Sequence, residues 1–523
     1  MLQETEFGLM KLRPTKKEEP MNRQDCIEII RRTVNEKIQG LLETESVLDV
    51  ASLDWVQGLA QEVSREVSLC VFAAWRKVLE WMAQEMRVCP RCGRPRKCKW
   101  RSDEPLRIDV LGLSFELPKL YLECDHCDAP GVSIIKLLTG LRCGDASLEL
   151  KLLAGYCASQ HSYQKASRDL SVHHHQELER TKVRRMALEV EQAAIEFAEQ
   201  SRRESLSKVG GEMRTHGPPV LILEADGGKV RTGEMKACEP GDAGFGKVSP
   251  KRGKPCRKRP TGYREIITMD VREPGEKQAS ALDVLVPVLS EDGERSRRML
   301  ALAARKGLSD NTQVQGLGDM GSGLSASFDE AFVGYDSHWS ADWKHTRDYV
   351  DAASAVLRSV DEEEWSQKMR DAIWNRDESA RNKLLSEAQR HRAKKLPAGL
   401  EKCPVRALRT YLTNNWKHME FARLEREGLP IVSARAESQV RDLTKDRFCV
   451  AGAWLDKNLE PKAVLRTIIT EGRWEEFRQK QMLKSKSIFE SELLERLETA
   501  IREGRLNREQ VCKITSEPMM VAA

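Results

Sequence analysis

Apolar residues from Asp25 to Arg87 recur at helical spacing, with Ile29, Ile30 and Val34 on one face and Val63, Val67, Val71, Trp75, Leu79 and Met82 on another. This predicts two or three packed helices behind a charged, Pro-interrupted leader of some 20 residues, with Trp75 and Trp81 in a core or a contact. The period then changes to two: Leu106 to Val110 and Ser114 to Leu117 alternate around Gly112, as strands joined by a turn. Helical spacing returns over Leu148 to Ala158, Ser162 to Leu170 and Gln176 to Glu204, three helices compatible with a helix-turn-helix. After a Gly/Pro-bearing linker from Gly210 to Pro219, the run Val220-Leu221-Ile222-Leu223 suits a buried strand. Further strands are predicted at Tyr263 to Val271, Leu282 to Leu289 and Gln313 to Leu317. A helix follows from Asp342 to Leu357, then a charged helical stretch from Asp361 to Arg426. The pattern is multidomain α/β, divided at 1–87, 88–144, 145–215, 216–455 with a helical insertion over about 360–427, and 456–523.

Composition narrows this picture. With 523 residues, 40% of them hydrophobic, the chain can build several cores. Its 86 Lys and Arg against 81 Asp and Glu leave a formal charge of only +5, so any affinity for nucleic acid has to come from local clusters. No apolar run approaches the roughly 18 residues of a membrane span, and the N-terminus lacks the apolar core of a signal peptide. A cytoplasmic, nucleoid-associated protein without a membrane partner is expected.

Fourteen cysteines in such a chain read as metal chemistry before disulfide pairing. Cys89-Pro90-Arg91-Cys92 and Cys124-Asp125-His126-Cys127 are two CxxC knuckles on either side of the predicted hairpin. Each pair can present two thiolates to one ion, and two pairs complete a closed tetrahedral site, the plan of a zinc ribbon with structural Zn²⁺. Cys98 and His126 lie close enough to compete, but the paired spacing favours Cys89, Cys92, Cys124 and Cys127. Arg91, Arg94, Arg96, Lys97, Lys99 and Arg101 crowd the first knuckle, either as phosphate contacts or as a solvated charged face. His173-His174-His175 reads as an exposed turn.

Three acidic residues carry the candidate chemistry. Asp226 ends the first apolar strand and is followed by Gly227-Gly228. Asp319 leaves a second strand beside glycines, and Glu437 falls in the first turn of a helix for which Ser433 is a plausible N-cap. Each has an ordinary explanation, as a turn residue or as an acid at a helix start. Together they form a set of hard oxygen ligands for two Mg²⁺ or Mn²⁺ ions suited to phosphodiester chemistry, and the order strand, strand, helix suits an RNase-H-like core. Asp342 and His345 open the next helix. The stretch Lys247 to Arg259 packs seven Lys or Arg into thirteen positions, including Lys251, Arg252, Lys254, Arg257, Lys258 and Arg259. It is either a track for a phosphate backbone or a solvated loop. Arg441, Lys445 and Arg447 follow Glu437 and are placed to grip DNA.

From Asn414 to Phe477, through Gly428-Leu429-Pro430-Ile431, Ser433, Glu437-Ser438 and Arg441 to Arg447, the chain resembles the C-terminal signature of bacterial insertion-sequence DDE transposases of the ISKra and ISLre type. These are relatives of the eukaryotic Mutator group. Asp226-Gly227, Leu317-Gly318-Asp319, the Asp342-x-x-His345 pair and the all-helical insertion match as well, and the N-terminal zinc-ribbon and helical segments have counterparts, so the resemblance covers most of the chain from about Cys89 onward. Two loops depart from the pattern: Met320-Gly321-Ser322-Gly323 after the second Asp, and Ser433-Ala434-Arg435 in place of glycines before the Glu. The resemblance implies DNA cleavage at element ends and strand transfer into target DNA, by a homodimer or larger assembly. Asp226, Asp319 and Glu437 would hold the cations, Asp342 and His345 would support the site, and Asp342 is the alternative second ligand. A transposase-derived DNA-binding protein and a non-joining nuclease of the same fold are the other readings.

Overall fold

A computed structural model describes residues 75–516 apart from 210–215, 234–235, 244, 249–254, 259–261, 277–280, 288–292, 321–322, 359–360, 392–402 and 450–455, with scattered residues between 28 and 72. The predicted leader, the face carrying Ile29, Ile30, Val34, Val63 and Val67, and the basic positions Lys251, Arg252, Lys254 and Arg259 lie outside the described residues. The chain divides into two compact units: residues 1–150, 170–177 and 482–523, and residues 151–169 and 178–481.

In the first unit the alternation around Gly112 becomes a long antiparallel hairpin of β1 (Lys97–Val110) and β2 (Leu113–Glu123). Gly112 takes a positive φ of 74° in the two-residue turn, a conformation that favours glycine. A register shift between Arg101 and Leu106 lets the hairpin bend before the short β3 (Val132–Ser133) joins its edge and leads into α1 (Ile134–Thr139). Leu106, Ile108, Leu117, Leu120 and Leu122 pack with Leu79, Met82 and Met86, and Trp75 and Trp81 border the same core. Val71, expected on that face, is exposed. Leu493, Leu497, Leu506 and Ile514 complete the cluster, so the end of the chain shares the ribbon's core and does not stand apart from it.

The second unit begins with the predicted helices, observed as α2 (Leu148–Gln160), α3 (Tyr163–His174) and α4 (Arg180–Leu206), of which residues 151–169 and 178 onward belong here. It then forms a five-stranded sheet. The strands are β4 (Val220–Thr232), β7 (Gly262–Arg272), β8 (Ala281–Leu285), β9 (Gln313–Gly318) and β10 (Ser337–Ala341), in the spatial order β10-β9-β4-β7-β8. A separate two-stranded ribbon joins β5 (Lys236–Ala237) to β6 (Arg257–Lys258). β4, β7 and β8 form an antiparallel meander, whereas β9 and β10 run parallel to β4 on its other side. One face, with Leu221, Leu223, Ala225, Ile267 and Met269, is covered by α5 (Glu294–Arg305) and α6 (Leu324–Ala331). Gly316 and Gly318 make room for the Trp339 ring on β10: a Cβ on Gly316 would stand 2.4 Å from it.

After β10 come α7 (Trp343–Ser354) and the helical insertion, α8 (Glu362–Trp374), α9 (Glu378–His391), α10 (Pro404–Asn415) and α11 (Phe421–Arg426). Ala341, Val350, Trp365, Met369, Leu408 and Phe421 share a core. The chain returns to the sheet through α12 (Ala434–Gln439) and one π-helical segment, Val440–Lys445, which runs into α13 (Asp446–Phe448). Helix α14 (Leu459–Thr470) follows.

Candidate active site and cysteine cluster

The strand register brings the candidate acids together. Ala225 on β4 pairs with Gly318 on β9, and Gly318 pairs with Ala341 on β10, so Asp226, Asp319 and Asp342 are the next residues on three adjacent parallel strands. Neighbouring strands lie about 4.8 Å apart, which sets the three aspartates in one row at the carboxyl edge. Asp226 itself does not end its strand. β4 continues six residues further as a hairpin with β7, because Val230 and Thr232 are buried while Lys229 and Arg231 are exposed. Only the pairing with β9 stops at Ala225.

Helix α12 brings Glu437 to this row. Its start is fastened to the sheet by a buried network: the Ala436 N–H donates to Glu224 at 3.0 Å, and Arg272 pairs with the same Glu224. The Arg435 guanidinium lies 3.5 Å from Asp270, which stands opposite Glu224 on β7. Gly228 gives the π-helical segment its close approach, since a Cβ there would stand 3.0 Å from Val440 and 3.1 Å from Thr444.

The carboxyl of Asp226 is raised above its ordinary range, first by burial and further by the charges of Glu437 and Asp319. The Gly227 N–H, donating at 2.7 Å, and the nearby His345 act the other way. Ligand atoms of Asp342, His345 and Glu437 all lie within 4.8 Å of one another, a group that can hold a metal ion. The acids within this group differ. Asp342 is fully buried and engaged: Oδ1 accepts the Lys344 and His345 N–H groups at 2.6 and 3.1 Å, and Oδ2 accepts the Ser433 N–H at 2.7 Å and the Ser433 hydroxyl. Four donors fill the lone pairs of one carboxylate. Glu437 instead receives the Lys344 ammonium on both oxygens, at 2.8 and 2.6 Å.

The four knuckle cysteines converge in the first unit. Cys89 and Cys127, Cys92 and Cys124, and Cys124 and Cys127 each stand 3.6 Å apart, sulfur to sulfur. A tetrahedral ion with metal–sulfur bonds of about 2.3 Å sets S···S edges of roughly 3.8 Å, so the cluster can hold zinc. Burial opposes ionisation of Cys89, but the Cys92 and Arg91 N–H groups aimed at its sulfur and the adjoining thiols bring its pKa down to about 6, whereas Cys127, although it faces the Ala129 N–H, is pushed up by burial and by the same thiols, so Cys89 gives up its proton first. Cys98 lies against the ribbon core, and His126 faces the Arg94 guanidinium at 3.3 Å.

Compared with models of known protein families and with curated proteins, the chain matches none.

Several basic positions are engaged otherwise than their spacing suggests. Arg447 is buried and donates to the Ala158 and His161 carbonyls at 3.2 and 2.7 Å, so it cannot grip DNA. Arg96 is buried as well, and Lys97, Lys99 and Arg101 are paired with Asp125 or Glu123 on the ribbon. Lys258 lies 3.0 Å from Glu239 and 2.8 Å from Asp242; Arg257, Arg441 and Lys445 are exposed, Arg441 standing 3.2 Å from Asp442. No described helix is long and apolar enough to cross a membrane. Lys344 and the Glu224, Asp270, Arg272 and Arg435 network carry no spacing signal. Only Arg435, standing where the resembled pattern has glycine, marked that turn as unusual.

Proposed function

We propose that the chain is a DDE-type DNA transposase with an RNase-H-like core, which cleaves DNA at element ends and joins the freed 3′ ends to target DNA. The reading rests on one observation: Asp226, where β4 loses its pairing with β9, and Asp319, just past the end of β9, share one register row on neighbouring parallel strands, and Glu437 reaches that row from α12. A three-stranded meander flanked by two strands parallel to its first member is the sheet expected of such a core. The donor set is all hard oxygen, which fits Mg²⁺ or Mn²⁺. When bound, such ions supply Lewis acidity to the phosphodiester and lower the pKa of the attacking water or hydroxyl.

The chain's own residues divide the work. Asp226, Asp319 and Glu437 supply the ligand oxygens. Asp342, whose oxygens already accept four N–H and O–H donors, would brace the turn before Glu437, and it is the alternative second ligand, since it stands with His345 and Glu437 in a group that can hold a metal ion. His345, whose ring lies within 4.8 Å of ligand atoms of Asp342 and Glu437, would support the site by holding or passing a proton at the reacting oxygen. Exposed Arg441 and Lys445 would contact DNA phosphates, and the ribbon, stabilised by Zn²⁺, would contribute to binding the terminal repeats with α2 and α3. Cutting two ends together calls for a homodimer or larger assembly.

The test is cleavage and strand transfer by the full-length protein with Mg²⁺, on DNA carrying the element ends. D226N, D319N and E437Q should each lower both steps by about two orders of magnitude or more while leaving the melting temperature in place. Full activity in any one of them refutes the assignment. Cutting without joining would favour a nuclease, and binding without cutting a transposase-derived DNA-binding protein.

A further inference from the structure

Lys344 is in direct contact with Glu437, one of the candidate ligands. It sits at the second position of α7, where Asp342 caps its N–H, and its side chain spans to α12 to place one ammonium on both oxygens of Glu437. The pair is partly open to solvent, with Lys344 52% and Glu437 30% exposed, so either group can exchange partners without unfolding its helix. The neighbouring Asp342 carboxylate and the His345 backbone N–H are instead held by the cap and by Ser433. Glu437 therefore meets a cation that can leave.

We propose that Lys344 is a tethered competitor for the divalent cation at Glu437 and, once displaced, a ligand for a phosphate of the DNA strand entering the site. The inference rests on the reading of Glu437 as a metal ligand. A divalent ion bound through the Glu437 oxygens takes the place of the ammonium, whose charge then lies beside a second cation and is best neutralised by a phosphodiester anion. Metal binding and DNA binding thereby become coupled. DNA that takes Lys344 away favours the metal, and by reciprocity the metal favours DNA. Without DNA the lysine holds the affinity for metal down, which limits the assembled site to the substrate complex.

The experiment is Mn²⁺ binding to the full-length protein, followed by calorimetry and by the paramagnetic resonance of free Mn²⁺, with and without a short DNA duplex. Removing an exposed ion pair is worth a few-fold in affinity, and relieving the repulsion of a divalent ion adds to it, so K344M should bind Mn²⁺ roughly three- to tenfold more tightly than wild type without DNA. K344R should stay near wild type. Duplex should tighten Mn²⁺ binding in wild type and clearly less in K344M. Equal or weaker Mn²⁺ binding by K344M, while E437Q abolishes that binding, overturns the role of Lys344 and leaves the metal site standing. Mn²⁺ binding that is absent, or indifferent to E437Q and D226N, removes the metal reading itself and this proposal with it.

Discussion

The Asp342 carboxylate accepts both the N–H and the hydroxyl of Ser433, 91 residues further along the chain, and so ties the start of α7 to the turn that carries Glu437. Two hydrogen bonds to a buried charge hold this turn, and a hydrogen bond to a charged group is worth about 1.5–3 kcal/mol. S433A removes the hydroxyl and keeps the N–H. It should cost about 1–2 kcal/mol in denaturant unfolding and raise the Mg²⁺ concentration needed for half-maximal cleavage, because Glu437 then starts from a looser turn. S433A that is as stable as wild type, with an unchanged Mg²⁺ requirement, would show that the tie positions nothing.

The cysteine cluster makes a prediction independent of the acids. Purified protein should carry one zinc per chain at this cluster, and a strong chelator should remove it with a loss of ordered structure in the residues of the ribbon core, since binding free energy at a structural site is folding free energy. C92S and C124S should each abolish stoichiometric zinc, whereas C98S should retain it, as Cys98 packs in the core. Zinc content by elemental analysis checks all three variants, and zinc retained in C92S and C124S would rule the cluster out.

Much of this arrangement could be read from local pattern, and what could not depends on long-range pairing. The two knuckles and the strands around Gly112 are short-range signals, as are the apolar run before Asp226 and the helix opened by Asp342. The strand Ser337–Ala341 escaped because Ser337, His338 and Ser340 break any apolar run, and its burial comes from Trp339 packing on Phe328 and from a place at the sheet edge. Asp226 was expected at a strand end because Gly227-Gly228 reads as a turn. The strand persists because Gly228 admits the π-helical segment and Val230 resumes the alternation. Nothing in the spacing of Asp226, Asp319 and Asp342 announces one row, since strand order is decided by contacts far apart in sequence. Arg447, read as a surface cation, is buried through its bonds to carbonyls more than 280 residues away.

Asp270 offers a pH-dependent test of how α12 is seated. Burial pushes its carboxyl up to about 6, with the Arg272 and Arg435 guanidinium groups working against the rise and Glu224 and Glu276 adding to it. An acid whose folded pKa lies above its unfolded value binds more protons in the folded state. Its contribution to stability is therefore fully present below about pH 4 and is lost as pH rises through about 6. Wild type should lose up to about 3 kcal/mol relative to D270N between these limits, measured by denaturant unfolding across the window. A constant difference between the two proteins from pH 4 to 7 would contradict the shift.

The last prediction concerns the buried cations behind α12. Lys462 and Glu191 form a fully buried ion pair between α14 and α4, and burial drives the carboxyl up and the ammonium down from their ordinary ranges. Arg447, Lys462 and Arg466 converge on the carbonyls of Ala158, Ser159 and His161 at the end of α2, and Arg466 also reaches the Asp442 carbonyl in the π-helical segment. The negative end of a helix dipole draws such cations, but Glu191 is the full negative charge that Lys462 contacts in that cluster. The two single substitutions should therefore differ. K462M leaves Glu191 with the longer-range charge of Arg447 and should cost about 3 kcal/mol, whereas E191L leaves three cations crowded together and should cost about 5. E191L/K462M should recover most of the loss, because apolar groups of similar volume replace a buried pair at little cost. Unfolding of all three variants in guanidinium chloride decides the matter, and a double mutant as unstable as E191L would show that the remaining arginines, and not the broken pair, set the penalty.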